Sequence, residues 1–153
     1  MFIKTAKQAY EYAYKYGLTF PRDWYITANF TWNEAFTNEQ ESDGIPIYEV
    51  FLNVVRMADY LQDIREHLKK PIYIHCWVRQ IPHNKRVGST AKYSGHLNGL
   101  AVDFHVKDMT DEQVRQAILK MKTHVRVEAD TVGWVHIDIN NYIQNYRAGI
   151  FYT

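Results

Sequence analysis

Asp103 is the residue whose setting most demands a chemical explanation. It stands in the run GLAVDFHV, between Val102 and Phe104, where a carboxylate is costly to bury unless a cation meets it. Seven residues earlier stands His96, in YSGHLNGLAVD, with Gly95 and Gly99 beside it; glycines let a loop turn closely around a site. A third candidate is His136 in GWVHID, again inside an apolar run. Two imidazoles and one carboxylate form a ligand set for catalytic zinc, with a fourth position left for water. Such a metal makes its water acidic and polarises a carbonyl. Other pairings stand beside this one. Arg79 could instead neutralise Asp103 in a structural ion pair. His105, two residues after Asp103, projects from the same strand face; it could be an alternative ligand or a group that orients one.

The charge around these residues is uneven. From His67 to Val102 there is no acid, and Lys69, Lys70, Arg79, Lys85, Arg86 and Lys92 lie in that span. Such a run suits a substrate rich in carboxylates, and it could equally be a solvated surface. Residues 29–53 offset it with Glu34, Glu39, Glu41, Asp43 and Glu49 and no base. Over the chain, 18 Lys and Arg face 17 Asp and Glu, a net charge of +1. No basic excess and no recognised motif argues for nucleic acid. Cys76 is the single cysteine, which excludes an internal disulfide framework and any multi-cysteine zinc site. Aromatics make up 15% of the residues, enough to line a groove as well as fill a core.

The elements that must position the candidates follow from periodicity. The 153 residues read as one domain, 1–153. Thr5 to Tyr16 predicts a helix with Ala6, Ala9, Tyr10, Ala13 and Tyr14 on one stripe, ending at Gly17. An irregular aromatic stretch, FPRDWYITANFTWNEAF, comes next, and NEQESDGIP reads as an exposed loop. Glu49 to Leu68 is the clearest helix, with Phe51, Val54, Val55, Ala58, Leu61, Ile64 and Leu68 on one side and Pro71 beyond its end. PIYIHCWVR, GLAVDFHV, HVRVE and GWVHIDI read as strands. Thr110 caps a short helix, with Gln113 completing a capping box. Helices first and then mainly strands predict an α+β fold, a small and mainly antiparallel sheet with helices packed on it. Tyr10, Tyr14, Phe51 and Trp77 are expected in the core. Phe104 and Trp134 are expected to pack behind the ligands, and Tyr93 and the FTWNEAF stretch to line a groove.

The sequence SGHLNGLAVDF resembles the S-x-H-x-x-G-x-A-x-D motif of zinc D-Ala-D-Ala carboxypeptidases and related peptidoglycan endopeptidases, a group that includes bacteriophage endolysins. The broader group takes in lysostaphin-like peptidases and the hedgehog domain. NFTWNEAF, LQDIREHLKKPIYIHCWVR, Asn84 with VGSTAKYSGH, and RVEADTVGWVHIDI resemble further segments in the same order, over roughly residues 29 to 140. The resemblance implies Zn2+ held by His96, Asp103 and His136, with Ser94 ordering the ligand loop. It implies that Arg79 binds substrate or polarises the scissile carbonyl, and that the substrate is a peptidoglycan stem peptide cut by a carboxypeptidase or an endopeptidase reaction. One departure concerns the general base. Family members often carry an acid three residues before the last ligand, and here that residue is Gly133. Glu128, which fits the family's R-x-E segment, is the favoured base, with Asp138 and Asp130 as alternatives. Asp138 shares a strand face with His136 and could orient it.

No stretch approaches the ~20 apolar residues needed to span a bilayer, and the N-terminal residues carry no secretion signal. The expectation is a monomer made in the cytoplasm, without membrane insertion or nucleic acid, that reaches the wall through lysis, a holin or a virion. A non-cutting wall-binding or virion protein, and a zinc-stabilised interaction domain, are the rival expectations. A structural zinc site is usually closed by four protein ligands, and the three found here favour catalysis.

Overall fold

A computed structural model describes residues 1–37, 44–80, 85, 94–139 and 148–152. The first helix, α1 (Ala6–Tyr16), follows a short strand β1 (Phe2–Ile3) that pairs in parallel with β2 (Trp24–Tyr25). Next come α2 (Trp32–Phe36) and the long α3 (Tyr48–Leu68). Strand β3 (Ile72–Cys76), a 3-10 turn (Gly95–Asn98), β4 (Ala101–Val106), α4 (Asp111–Met121), β5 (Arg126–Glu128), β6 (Val135–Asp138) and β7 (Gly149–Phe151) complete the described chain. The fold is α+β, as the element order predicts.

Helices α1, α2 and α4 start with the same device, whereas α3 follows Ile47 without a side-chain cap. Thr5 with Gln8, Thr31 with Glu34 and Thr110 with Gln113 each form a reciprocal capping box, which satisfies two backbone donors per helix end. At its other end α3 closes on Lys69 in the left-handed conformation, φ 55°, and Pro71 cannot continue the helix.

Among the described residues, five strands form one sheet in the order β3-β4-β6-β5-β7, antiparallel except where β7 runs parallel to β5. Alternation divides the side chains of β4 between two faces. Val102, Phe104 and Val106 are buried in one core with Val127, Val135 and Ile137 and with Phe51, Val54, Met57, Leu61 and Ile64 of α3. Asp103 and His105 project from the other face. The register places Asp103 opposite His136 and Ala101 opposite Asp138, and Arg126 opposite Asp138 from the other side. Every candidate on these strands therefore shares the face turned away from the core.

Several aromatic expectations need correction. Tyr14 is 75% exposed, because it sits at the edge of a helical stripe whose buried residues are Ala6, Ala9 and Ala13. Phe30, Trp32 and Phe36 are fully buried and line no groove; the Thr31 capping box turns Trp32 and Phe36 of α2 inward against Phe20 and Phe51. Trp134 does not pack behind the ligands with Phe104. It is 39% exposed while its neighbour Val135 is buried, so it lies on the same side as His136. Tyr10 is half-buried against the core, and Phe51 and Trp77 are within it. Tyr93, Asn84 and the greater part of the NEQESDGIP and VGSTAKYSGH segments lie outside the described residues.

The 3-10 turn is pressed onto α3 at Gly99. With φ +74°, this residue sits where a Cβ would meet Val54 Cγ2 at 3.0 Å and the Val50 carbonyl at 3.1 Å. Gly99→Ala is expected to lower the unfolding free energy of the metal-free protein by about 1–3 kcal/mol, through the left-handed backbone and the close approach together. Urea denaturation measures it, and an unchanged midpoint would contradict the close approach.

Candidate metal centre

Three segments converge on the Asp103 carboxylate. His96 comes from the 3-10 turn, Asp103 from the middle of β4 and His136 from the facing residue of β6. One ligand-type atom from each lies within 4.8 Å of the others. His96 Nε2 is 3.3 Å from Asp103 Oδ2, and His136 Nδ1 donates to Asp103 Oδ1 at 2.6 Å. All three are mostly withdrawn from water, with His96 only 2% exposed.

Each ring's second nitrogen is also engaged. His96 Nδ1 donates to the Trp77 carbonyl at 2.7 Å, so Nε2 is the nitrogen turned to Asp103. Trp77 in turn donates from its indole to the Gly99 carbonyl, and the Arg79 amide donates to the His96 carbonyl. These bonds tie the end of β3 to the turn that carries His96. His136 Nε2 lies 3.3 Å from Asp138 Oδ2, and Asp138 is clamped by Arg126 through Nε at 2.7 Å and Nη2 at 2.8 Å.

Charge and burial compete at these groups. Burial alone would raise the Asp103 carboxyl, but hydrogen bonds and charge from His136 and His96 outweigh it and hold the group well below the usual range. Burial alone would lower the His136 imidazole, yet Asp103 and Asp138 outweigh it and push the ring up to about 9. Asp138 follows the same logic, with burial opposed by the hydrogen bonds of His136 and Arg126, and it is lowered.

The donor set suits a divalent cation of zinc's type. Neighbouring ligands of a tetrahedral zinc with bonds of about 2.0–2.2 Å lie roughly 3.3 Å apart, the separation between His96 Nε2 and Asp103 Oδ2. A proton held between His136 and Asp103 accounts for their shorter contact, and metal binding displaces such a proton. The polarised imidazole with a carboxylate behind it is also a common arrangement around bound metals.

The remaining candidates fall in different places. Arg79 makes no ion pair with Asp103 among the described residues; its Nε is buried without a hydrogen-bond partner, next to the turn that carries His96. His105 is exposed and meets His75 across β3 and β4, ring nitrogens 2.5 Å apart, so it faces a neighbouring strand rather than the cluster. Glu128 ends β5 on the same face as Arg126, and one further step of the β5–β6 register sets it level with His136. Asp130 lies in the bend that follows. Ser94 precedes the turn, and its carbonyl accepts from the Leu97 amide while its side chain makes no capping bond. The Trp77 carbonyl, Arg126 and Phe151 are participants that sequence reasoning missed. Of these only Arg126 carried a signal, its two-residue spacing from Glu128.

The family model described as Peptidase M15 matches residues 26–138 of this chain. No curated protein matches it.

The raised imidazole gives a pH dependence with a definite sign. A group whose folded pKa lies above its unfolded value of 6.5 stabilises fully below pH 6.5, and that stabilisation is lost as pH rises through about 9. With excess chelator present, the thermal midpoint of the wild type is expected to fall between pH 6.5 and 9.5 more steeply than that of His136→Ala. Equal slopes would show that the ring does not carry the charge.

Proposed function

This chain belongs to the peptidase M15 family, and on that premise we propose that it is a zinc-dependent hydrolase cutting an amide bond in the stem peptides of peptidoglycan. The observation that carries the proposal is the convergence of His96, Asp103 and His136 within 4.8 Å on the face of the sheet turned away from the core. These three side chains would hold the metal. The chemistry a zinc ion supplies there when bound is Lewis acidity toward a carbonyl oxygen and a water made acidic near neutral pH.

The chain's own residues supply the rest. Glu128 takes a proton from the attacking water and delivers it to the amide nitrogen as the carbon–nitrogen bond breaks and the carbon–oxygen bond forms. Its position level with His136 supports this role; Asp138, already clamped by Arg126, is better suited to orienting the imidazole. Arg79 meets the scissile carbonyl or a stem-peptide carboxylate. Support comes from its buried Nε, which lacks an acceptor among the described residues, and from the planar fork of the guanidinium. The protein acts as a monomer and reaches the wall through lysis, a holin or a virion.

A digest of purified cell walls analysed by mass spectrometry tests the proposal. New peptide termini are expected from the wild type. His96→Ala should lose both bound zinc and activity, and Glu128→Gln should keep zinc while losing about 10²–10⁴ in rate. Full activity after thorough chelation would sink the metal. Wall binding without new termini would favour a non-cutting wall-binding protein, a reading that Gly133 supports by standing where a family acid is expected.

A further inference from the structure

We propose that Arg126 is a positioning residue for the metal ligand His136, acting through Asp138 and itself held by Phe151 of the C-terminal strand. The inference rests on the proposed metal site.

Asp138 Oδ2 sits between two donors, Arg126 Nη2 at 2.8 Å and His136 Nε2 at 3.3 Å. Arg126 Nε donates to the other oxygen at 2.7 Å. A bidentate pair fixes the plane of the carboxylate as well as its distance. With that plane fixed, Oδ2 accepts the Nε2 proton of His136, and Nδ1 is the nitrogen left facing Asp103. Asp138 is only 3% exposed, and removing one partner of a buried ion pair leaves an uncompensated charge. The two-point contact with the guanidinium holds the carboxylate in the plane from which Oδ2 reaches the ring.

The guanidinium has its own support. Its Cζ lies 4.0 Å from the centroid of the Phe151 ring, a cation–π contact. The same ring lies in a T-shaped arrangement with His136, centroids 6.1 Å apart. Phe151 is brought there by β7, which pairs in parallel with β5, Gly149 level with Arg126 and Phe151 level with Glu128; the Ala129 amide donates to the Phe151 carbonyl at 2.8 Å. The family match ends at residue 138, so this aromatic support comes from outside the matched segment.

Zinc affinity of the full chain, measured by competition with a chromophoric chelator at fixed pH, tests the inference without any substrate. Arg126→Ala is expected to weaken binding about 10–100-fold, the usual effect of losing an outer partner of a metal ligand. Arg126→Lys keeps the charge but not the fork, and should fall between the two. Asp138→Asn should weaken binding as well, and adding Arg126→Ala to it should cost nothing further, because the path runs through Asp138. Phe151→Ala should weaken binding by a smaller factor. A merely structural role would lower the unfolding midpoint of the metal-free protein and leave the affinity of the folded protein unchanged. If Arg126→Ala does not fold, Arg126→Lys and Asp138→Asn decide the matter. Wild-type affinity in the folded Arg126 variants, or additive losses in the double variant, overturns the inference alone. A wild type that binds no zinc overturns both the inference and the metal site.

Discussion

The structure turns on one carboxylate that must be neutralised. Asp103 occupies the middle of β4, flanked by Val102 and Phe104 in the core, where an uncompensated ion costs several kcal/mol. Two imidazoles meet it directly. Each imidazole is then held by an acceptor of its own, the Trp77 carbonyl for His96 and Asp138 for His136. Asp138 is a second buried carboxylate, and Arg126 answers it. Along this path the groups alternate as carboxylate, imidazole, carboxylate and guanidinium. The arrangement spreads the burden of one buried charge over three strands and a turn.

The fold meets that demand by separating its two tasks on opposite faces of the same strands. Val102 and Phe104 of β4 anchor the core while Asp103 faces away from it, and Val135 and Ile137 of β6 do the same around His136. His96 cannot be delivered by a strand, so a 3-10 turn brings it in. That turn is fastened twice, by the contact of Gly99 with α3 and by the bonds from Trp77 and Arg79. Trp77 thus works through its backbone on the imidazole and through its indole on the glycine that sets the turn.

How much could be read from residues alone depended on the range of the interaction. Helices α1, α3 and α4 follow from apolar periodicity and end signals, which act within a turn or two. The same Thr-x-x-Glu signal stands at Thr31 and Glu34, yet the density of aromatics around it suggested a groove. Burial of Trp32 and Phe36 depends on α3 and Phe20, which lie elsewhere in the chain. The three candidate ligands stood out because polar residues in apolar runs need a reason. Trp134 was open to a better reading, since a residue two before His136 shares its side, while Phe104, adjacent to Asp103, takes the opposite one. Strands β1, β2 and β7 are two or three residues long, too short for any period. Arg126 found its partner only through the pairing of β5 with β6, a long-range register that local pattern does not encode.

That register also couples fidelity to function. Asp103 and His136 face each other because β4 and β6 are aligned at Val102 with Ile137 and Phe104 with Val135. Sliding β6 by one residue would turn its whole set of side chains over. His136 and Asp138 would enter the core, and Val135 and Ile137 would be driven into water. A misaligned molecule would therefore forfeit hydrophobic cohesion at the same moment as the pairing of His136 with Asp103. A compact chain with these donors on the wrong side of the sheet is disfavoured by the same burial that sets the register.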